Sequence, residues 1–261
     1  MNDTMHTDTL PERAALDLLN APDCALFLDF DGTLVDIAPR PELVVVEPQM
    51  VAALGALQAR LAGRVAIVSG RPIAELDRML APLVLPAAGV HGMERRGADG
   101  ILRRIPAPDF TLVRTRASEL AARHPGLWVE EKYGALALHY RQAPELQQAC
   151  LDTMAAAVQE SAGLILMAGK MIVEVKAGGV SKGTAIRDFL AEAPFLGHRP
   201  LFAGDDTTDE AGFEYLQGAG GIGLKVGPGP SAAHCRIDSA AALRSALADA
   251  AGVSTTRKET P

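Results

Sequence analysis

The chain has 261 residues, 48% of them hydrophobic, and a formal net charge of −7 with no cluster of lysine and arginine. Such a composition supplies one or two sizeable cores and excludes wholesale disorder, and without clustered cations it argues against a nucleic-acid groove. Cys24, Cys150 and Cys235 are odd in number and far apart, which suggests neither a disulfide framework nor a zinc site, and no apolar run approaches the ~18 residues of a membrane span, so a cytoplasmic location is expected.

In chain order, residues 26–30 within "LFLDFDGTLVD" read as a buried strand interrupted by Asp29 and followed by the turn residues Gly32 and Thr33. Pro48 opens a helix with Val51, Leu54, Leu57 and Leu61 on one face, closed by Gly63. Residues 65–68 form the next buried strand, ending in Ser69-Gly70-Arg71, with Pro72 suited to the first turn of a helix that runs to Leu80. Strands apolar throughout and separated by helices imply a parallel sheet covered on both faces, that is, a doubly wound α/β fold.

The rhythm changes near Pro106. A helix over 110–123 leads to two strand-like segments around Tyr133-Gly134, then a helix from Pro144, then a second hairpin turning at Ala168-Gly169. Helix, two strands, helix, two strands is an α+β unit, expected as an inserted domain over 108–177 within a core of 1–107 and 178–261. Ser181 then N-caps a helix bearing Ile186 and Leu190, residues 201–203 form a strand ending in "GDDTTDE", "GIGLKVG" is a further short strand, and a helix spans 239–248.

Three strands thus end in polar signatures: Asp29 with Asp31, Ser69, and Asp205 with Asp206 and Asp209. In a doubly wound sheet ligands bind outside the carboxyl ends of the strands. Asp29 and Asp31, two residues apart, are expected on the same side of their strand. Convergent carboxylates call for a hard cation with oxygen ligands, and Mg²⁺, which completes its sphere with waters and substrate phosphate, suits so few protein ligands. Three carboxylates and a phosphate monoester of about −2 sum to roughly −5, against +2 from the metal and +1 from one lysine. One acid should therefore carry a proton, and Asp31 is expected to be the general acid beside a nucleophilic Asp29.

These motifs resemble those of the haloacid-dehalogenase-type phosphatases: Asp29-Phe30-Asp31-Gly32-Thr33-Leu34 is similar to their first motif, Ser69 to their second, Lys182 to their third, and Gly204-Asp205-Asp206 with Asp209 to their fourth. The resemblance implies in-line attack by Asp29 on phosphorus, an aspartyl-phosphate, and Asp31 as the acid that later activates water. It further implies that Ser69 and Lys182 hold the transferring oxygens and that Mg²⁺ is bound by Asp29, the Asp31 carbonyl and Asp205, with Asp206 and Asp209 of the same acidic loop as further metal candidates. An insert between the second and third motifs is where this superfamily carries a cap that reads the leaving group.

More narrowly, "VEEKYGALALHYR", "MIVEVKAGGVSKG", "AGVHGMERR" and "GDDTTDE" resemble the trehalose-phosphatase family. That resemblance implies hydrolysis of a small-molecule phosphosugar, trehalose 6-phosphate, with Glu130, Lys132 and Glu174 on the sugar hydroxyls and its synthesis on another chain. Spacing agrees on one point, since Glu130 and Lys132 share a strand face and Glu174 is a lone acid among apolar neighbours. Gly70, Arg71 and His91 are further candidates for substrate contact, although Ser69–Pro72 reads equally as a helix start and His91-Gly92 as a turn. His139 and Arg141 are expected on the strand of Lys132 but on its opposite side, in a structural or hinge-facing role. The rival readings are another sugar phosphatase or phosphomutase with the same core and, from a different class, a non-catalytic phosphosugar sensor. A monomer without nucleic-acid or membrane partners is expected.

Overall fold

The computed structural model describes residues 10–38, 43–169 and 171–253, with Lys132 described by its backbone alone. The chain divides into two compact units, one made by the chain up to Arg104 and from Ser181 onward, the other by Ile105–Val180, a slightly wider insert than 108–177. In chain order the first unit begins with helix α1 (Glu12–Asn20), β1 (Cys24–Leu28), α2 (Pro48–Arg60), β2 (Val65–Val68), α3 (Ile73–Leu80), β3 (Ala87–Gly89), β4 (Glu94–Arg96) and β5 (Leu102–Arg104). The insert contains α4 (Thr111–Arg123), β6 (Trp128–Lys132), β7 (Ala135–His139), α5 (Gln147–Gln159), β8 (Leu164–Gly169) and β9 (Ile172–Ala177). The first unit resumes with α6 (Lys182–Leu190), β10 (Arg199–Gly204), α7 (Glu210–Ala219), β11 (Ile222–Val226), β12 (Cys235–Ile237) and α8 (Ala240–Ala250).

The first unit is doubly wound. Its sheet runs β12-β11-β10-β1-β2-β3-β4-β5, parallel from β12 to β3, with β4 and β5 added antiparallel at one edge. Strand parity divides the core. Cys24, Leu26 and Leu28 pack with α1, α2, α3 and α8, whereas Ala25 and Phe27 pack with Phe189 of α6, Phe213 of α7 and Phe195. Because β1 lies between β10 and β2, the chain leaves it once to each side, and the strand order reverses there. This switch point is where the carboxyl ends of the strands open a crevice.

The helix starts differ in their chemistry. Ser181 caps α6 reciprocally with Thr184, its hydroxyl accepting from Thr184 N–H while its own N–H donates to the Thr184 hydroxyl. At α3 the expected start is corrected: Pro72 precedes the helix, Ser69 does not cap it, and the buried Glu94 of β4 accepts the Ile73 N–H at 3.1 Å while its other oxygen accepts from Arg104 at 3.0 Å. A carboxylate suits the positive end of the helix, and the neighbouring strand brings this one.

In the insert, an antiparallel sheet in the order β6-β7-β9-β8 covers α4 and α5 with Leu136, Leu138, Val173 and Val175, which meet Val113, Ala117, Cys150 and Met154. The second hairpin turns later than expected. Gly169 is still paired with Ile172, and Met171 takes a left-handed φ of 64°; Lys170 lies outside the described residues. No helix among the described residues is long and apolar enough to cross a membrane.

Glu94→Ala is expected to lower stability against urea by about 1–3 kcal/mol, because it strands a buried N–H at the start of α3. Glu94→Gln, which keeps an acceptor, should retain most of that stability, and an alanine variant as stable as the parent would remove Glu94 from this role.

Candidate active site

At the switch point four charged side chains from three elements meet. Asp29 directly follows β1, and odd-numbered residues of that strand face α6, so its carboxylate points towards the N-terminus of that helix. There Lys182, 2% exposed, donates to Asp29 Oδ1 at 2.7 Å and to Asp209 Oδ1 at 2.6 Å. The other Asp209 oxygen accepts the Asp206 N–H at 2.9 Å, closing the turn after β10. Asp205 presents its carboxylate beside them, with Oδ1 accepting the Thr33 hydroxyl at 2.9 Å. A Cβ on Gly32, whose φ is 81°, would overlap that carboxylate, so glycine here serves both the left-handed turn and the close approach.

The electrostatics follow from this crowding. Burial pushes the Asp29 carboxyl up to about 8, with Lys182 opposing and Asp209 adding to the rise. Burial works against the Lys182 ammonium, but Asp29 and Asp209 outweigh it and hold the lysine above its ordinary range. Burial also raises Asp205; the Thr33 hydroxyl opposes it, and Asp209 and Asp206 reinforce it. Asp29, Asp205 and Asp209 each offer one oxygen, and these oxygens lie within 4.8 Å of one another. An all-oxygen donor set that is short of positive charge fits a hard divalent cation such as Mg²⁺.

Two of the acids depart from expectation. Asp206, a metal candidate from its sequence position, instead caps the following turn, its Oδ1 accepting the Thr207 N–H at 2.6 Å. β1 stops at Leu28, so strand parity does not govern Asp31, and its carboxylate leaves Asp29 for the fork of Arg71, at 2.6 Å to Nε and 2.7 Å to Nη2. Arg71 thus sits on the Asp31 carboxyl itself. Arg71 also reaches Glu75 at 3.3 Å and lies over the Phe30 ring.

Ser69, 1% exposed, directly follows β2, with its Oγ accepting the Arg71 N–H at 3.1 Å. His91 lies against this loop: its N–H donates to the Ser69 carbonyl at 3.0 Å, and a Cβ on Gly70 would come within 2.7 Å of the imidazole. Val90 and His91 both take left-handed φ values, 49° and 55°, and a β-branched residue there carries strain. Ser69, Gly70 and His91 thus form one packed corner beside Asp31 and Arg71. Reading along the chain missed Lys225, buried in β11, whose Nζ donates to the main-chain carbonyls of Asp205 and Val226. The available signal was a lone lysine within an otherwise apolar strand.

The remaining candidates lie in the insert. Register places Glu130, Ala137, Glu174 and Met167 in one row across the four strands, so Glu130 and Glu174 share the sheet face opposite the helices. Lys132 ends β6 on the same parity, and its side chain lies outside the described part. His139 corrects the expectation made for it. It ends β7 and not the strand of Lys132, and it shares the face of Glu130, with its Nε2 2.9 Å from Glu130 Oε2.

The profile of the trehalose-phosphatase family matches residues 27–244. The trehalose-6-phosphate phosphatase of Escherichia coli is 40% identical over 215 residues, 82% of this chain and 81% of that protein. Among solved structures, the C-terminal domain of a C. albicans trehalose-6-phosphate phosphatase superposes with a TM-score of 0.80 at 21% identity, covering 97% of this chain and all of that one. A trehalose-6-phosphate phosphatase related protein gives 0.66 at 27% identity, over 87% of this chain and 97% of that one.

Gly32→Ala is expected to weaken Mg²⁺ binding roughly tenfold or more, read from the Mg²⁺ concentration that gives half of the cation's stabilisation against heat. The same midpoint as in the parent would mean that Asp205 does not take part in holding the cation.

Proposed function

The chain belongs to the trehalose-phosphatase family, and on that premise we propose that it hydrolyses trehalose 6-phosphate to trehalose and phosphate through a phosphoryl group carried on Asp29. It is a phosphatase, a phosphoric monoester hydrolase. The observation that carries the mechanism is the cluster after β1 and β10 in which Lys182 bonds Asp29 and Asp209 and Asp205 brings a third carboxylate beside them.

In the proposed reaction an Asp29 carboxylate oxygen attacks phosphorus in line with the sugar oxygen. The P–O bond to the sugar breaks, and Asp31 gives its proton to the departing alkoxide. Asp31, again a carboxylate, takes a proton from water, which attacks the acyl phosphate and releases inorganic phosphate with Asp29 regenerated. Lys182 and the Ser69 corner hold the non-bridging oxygens, and Arg71 releases Asp31 for its acid role. When bound, Mg²⁺ would be held by Asp29, Asp205 and the Asp31 carbonyl and would offset the charge that brings anion to anion. Lys225 acts beside it by fixing the main chain of Asp205.

Glu130, Lys132 and Glu174 of the insert are assigned to the hydroxyls of the neutral disaccharide, where carboxylates accept and lysine donates. The enzyme is assigned to the cytoplasm; the support is its three buried free cysteines, which suit a reducing compartment.

Asp29→Asn, nearly isosteric, should abolish phosphate release from trehalose 6-phosphate while leaving the thermal transition close to that of the parent; retained turnover would exclude Asp29 as the nucleophile. Stripping Mg²⁺ with a chelator should stop release, and added Mg²⁺ should restore it. A panel of sugar phosphates tests the substrate, and a preference for sucrose or mannose phosphates would refute this assignment. Removing Lys132 or Glu174 should lower kcat/KM for trehalose 6-phosphate roughly tenfold more than for 4-nitrophenyl phosphate, the size expected for a hydrogen bond to a charged group. Equal losses on both would take these residues out of sugar recognition.

A further inference from the structure

Beside Glu130 the open face of the insert sheet carries a small built assembly. The β6–β7 register sets Trp128 opposite His139 and Glu130 opposite Ala137, so the imidazole lies diagonally across from the Glu130 carboxylate. It is held from two directions. Its ring stacks on the Trp128 indole with centroids 3.8 Å apart and planes 6° from parallel, and its Nε2 lies 2.9 Å from Glu130 Oε2. Trp128 is half exposed, an unusual place for the chain's single tryptophan unless its flat face has work there.

A glutamate on an open sheet face has three rotatable bonds, and a ligand that needs its carboxylate in one orientation must order it on binding. A ring N–H fixed by stacking on an indole does that ordering beforehand. A carboxylate has about four acceptor sites, so one N–H bond sets its rotation without exhausting its capacity for hydroxyls. We infer that His139 is a positioning residue for sugar recognition: stacked on Trp128, it holds the Glu130 carboxylate in the orientation that accepts the sugar hydroxyls. This rests on the assignment of Glu130 to the sugar made above. The trio then governs affinity for the sugar half of the substrate and leaves the chemistry at phosphorus to the other unit.

The test uses the full chain with Mg²⁺, assayed on trehalose 6-phosphate and on 4-nitrophenyl phosphate, which has no sugar. His139→Phe keeps a flat ring for the stack and removes the N–H; it should raise KM for trehalose 6-phosphate roughly tenfold with a much smaller change in kcat, and should affect the nitrophenyl ester far less. His139→Gln, whose amide nitrogen reaches about as far as Nε2, should recover part of the loss. His139→Phe combined with Glu130→Gln should be no worse than Glu130→Gln alone, since both remove one coupled contact. An unchanged KM in His139→Phe, equal losses on both substrates, or fully additive losses in the double variant would overturn the inference. If Glu130→Gln itself fails to discriminate between the two substrates, the sugar assignment of Glu130 falls, and this inference with it. If His139→Phe does not fold, as judged by its thermal transition, the comparison passes to His139→Gln against Trp128→Ala, which loosens the stack but keeps the imidazole; Trp128→Ala with no KM increase would then count against the proposal.

Discussion

A single buried ammonium, on Lys182, ties together two acids that follow neighbouring strands of the first unit. Asp29 and Asp209 come from the ends of neighbouring strands, and without a cation between them their mutual repulsion in a water-poor site would drive the loops apart or protonate one of them. The fold prepares this contact at several levels. Strand parity turns Asp29 towards α6, the Ser181–Thr184 box fixes where that helix begins, and the Asp206 N–H holds Asp209 in the turn after β10. Lys182 also limits what it can offset. It answers two carboxylates, while Asp205 adds a third, and burial, reinforced by Asp209, raises the Asp29 carboxyl in spite of that lysine. In the reaction proposed above, a divalent cation would add the positive charge that three carboxylates and one ammonium leave short.

On the function proposed above, the two units divide the work by chemistry. The first concentrates ionised groups on a rigid parallel sheet, where positions set by backbone hydrogen bonds suit phosphoryl transfer, a reaction governed by placement and electrostatics. The second has its own apolar core beneath an antiparallel sheet whose opposite face carries Glu130, Glu174, His139 and Trp128. Neutral hydroxyls are recognised by hydrogen bonds of fixed direction, and a sheet face with cross-strand neighbours can hold donors and acceptors at set spacing.

Much of this was legible in the sequence, for definable reasons. The apolar strands β1, β2 and β10, the helices that begin at Pro48 and Ser181, and the α+β insert all announce themselves through periodicity and turn residues. Elements of three residues, β3, β4, β5 and β12, are too short for a period to emerge, and β4 and β5 carry four arginines in six positions. The acids at the strand ends could be named, but their partners could not. Arg71 and Asp31 lie 40 residues apart, and their fork depends on β2 running beside β1; Asp206 and Asp209 look alike in the motif and differ only in how the turn aims them. His139 was assigned to the wrong face because parity was carried through the turn at Tyr133-Gly134, where the strand ends and counting restarts.

The account is tested most directly by where a cation binds. Crystals of the protein soaked with Mn²⁺, which takes the same oxygen donors as Mg²⁺ and can be located by its anomalous scattering, should show a single strong peak in direct contact with the carboxylates of Asp29 and Asp205. A peak held instead by Asp206, or none between the ends of β1 and β10, would contradict the claim that this acid cluster exists to share one divalent ion with the substrate phosphate.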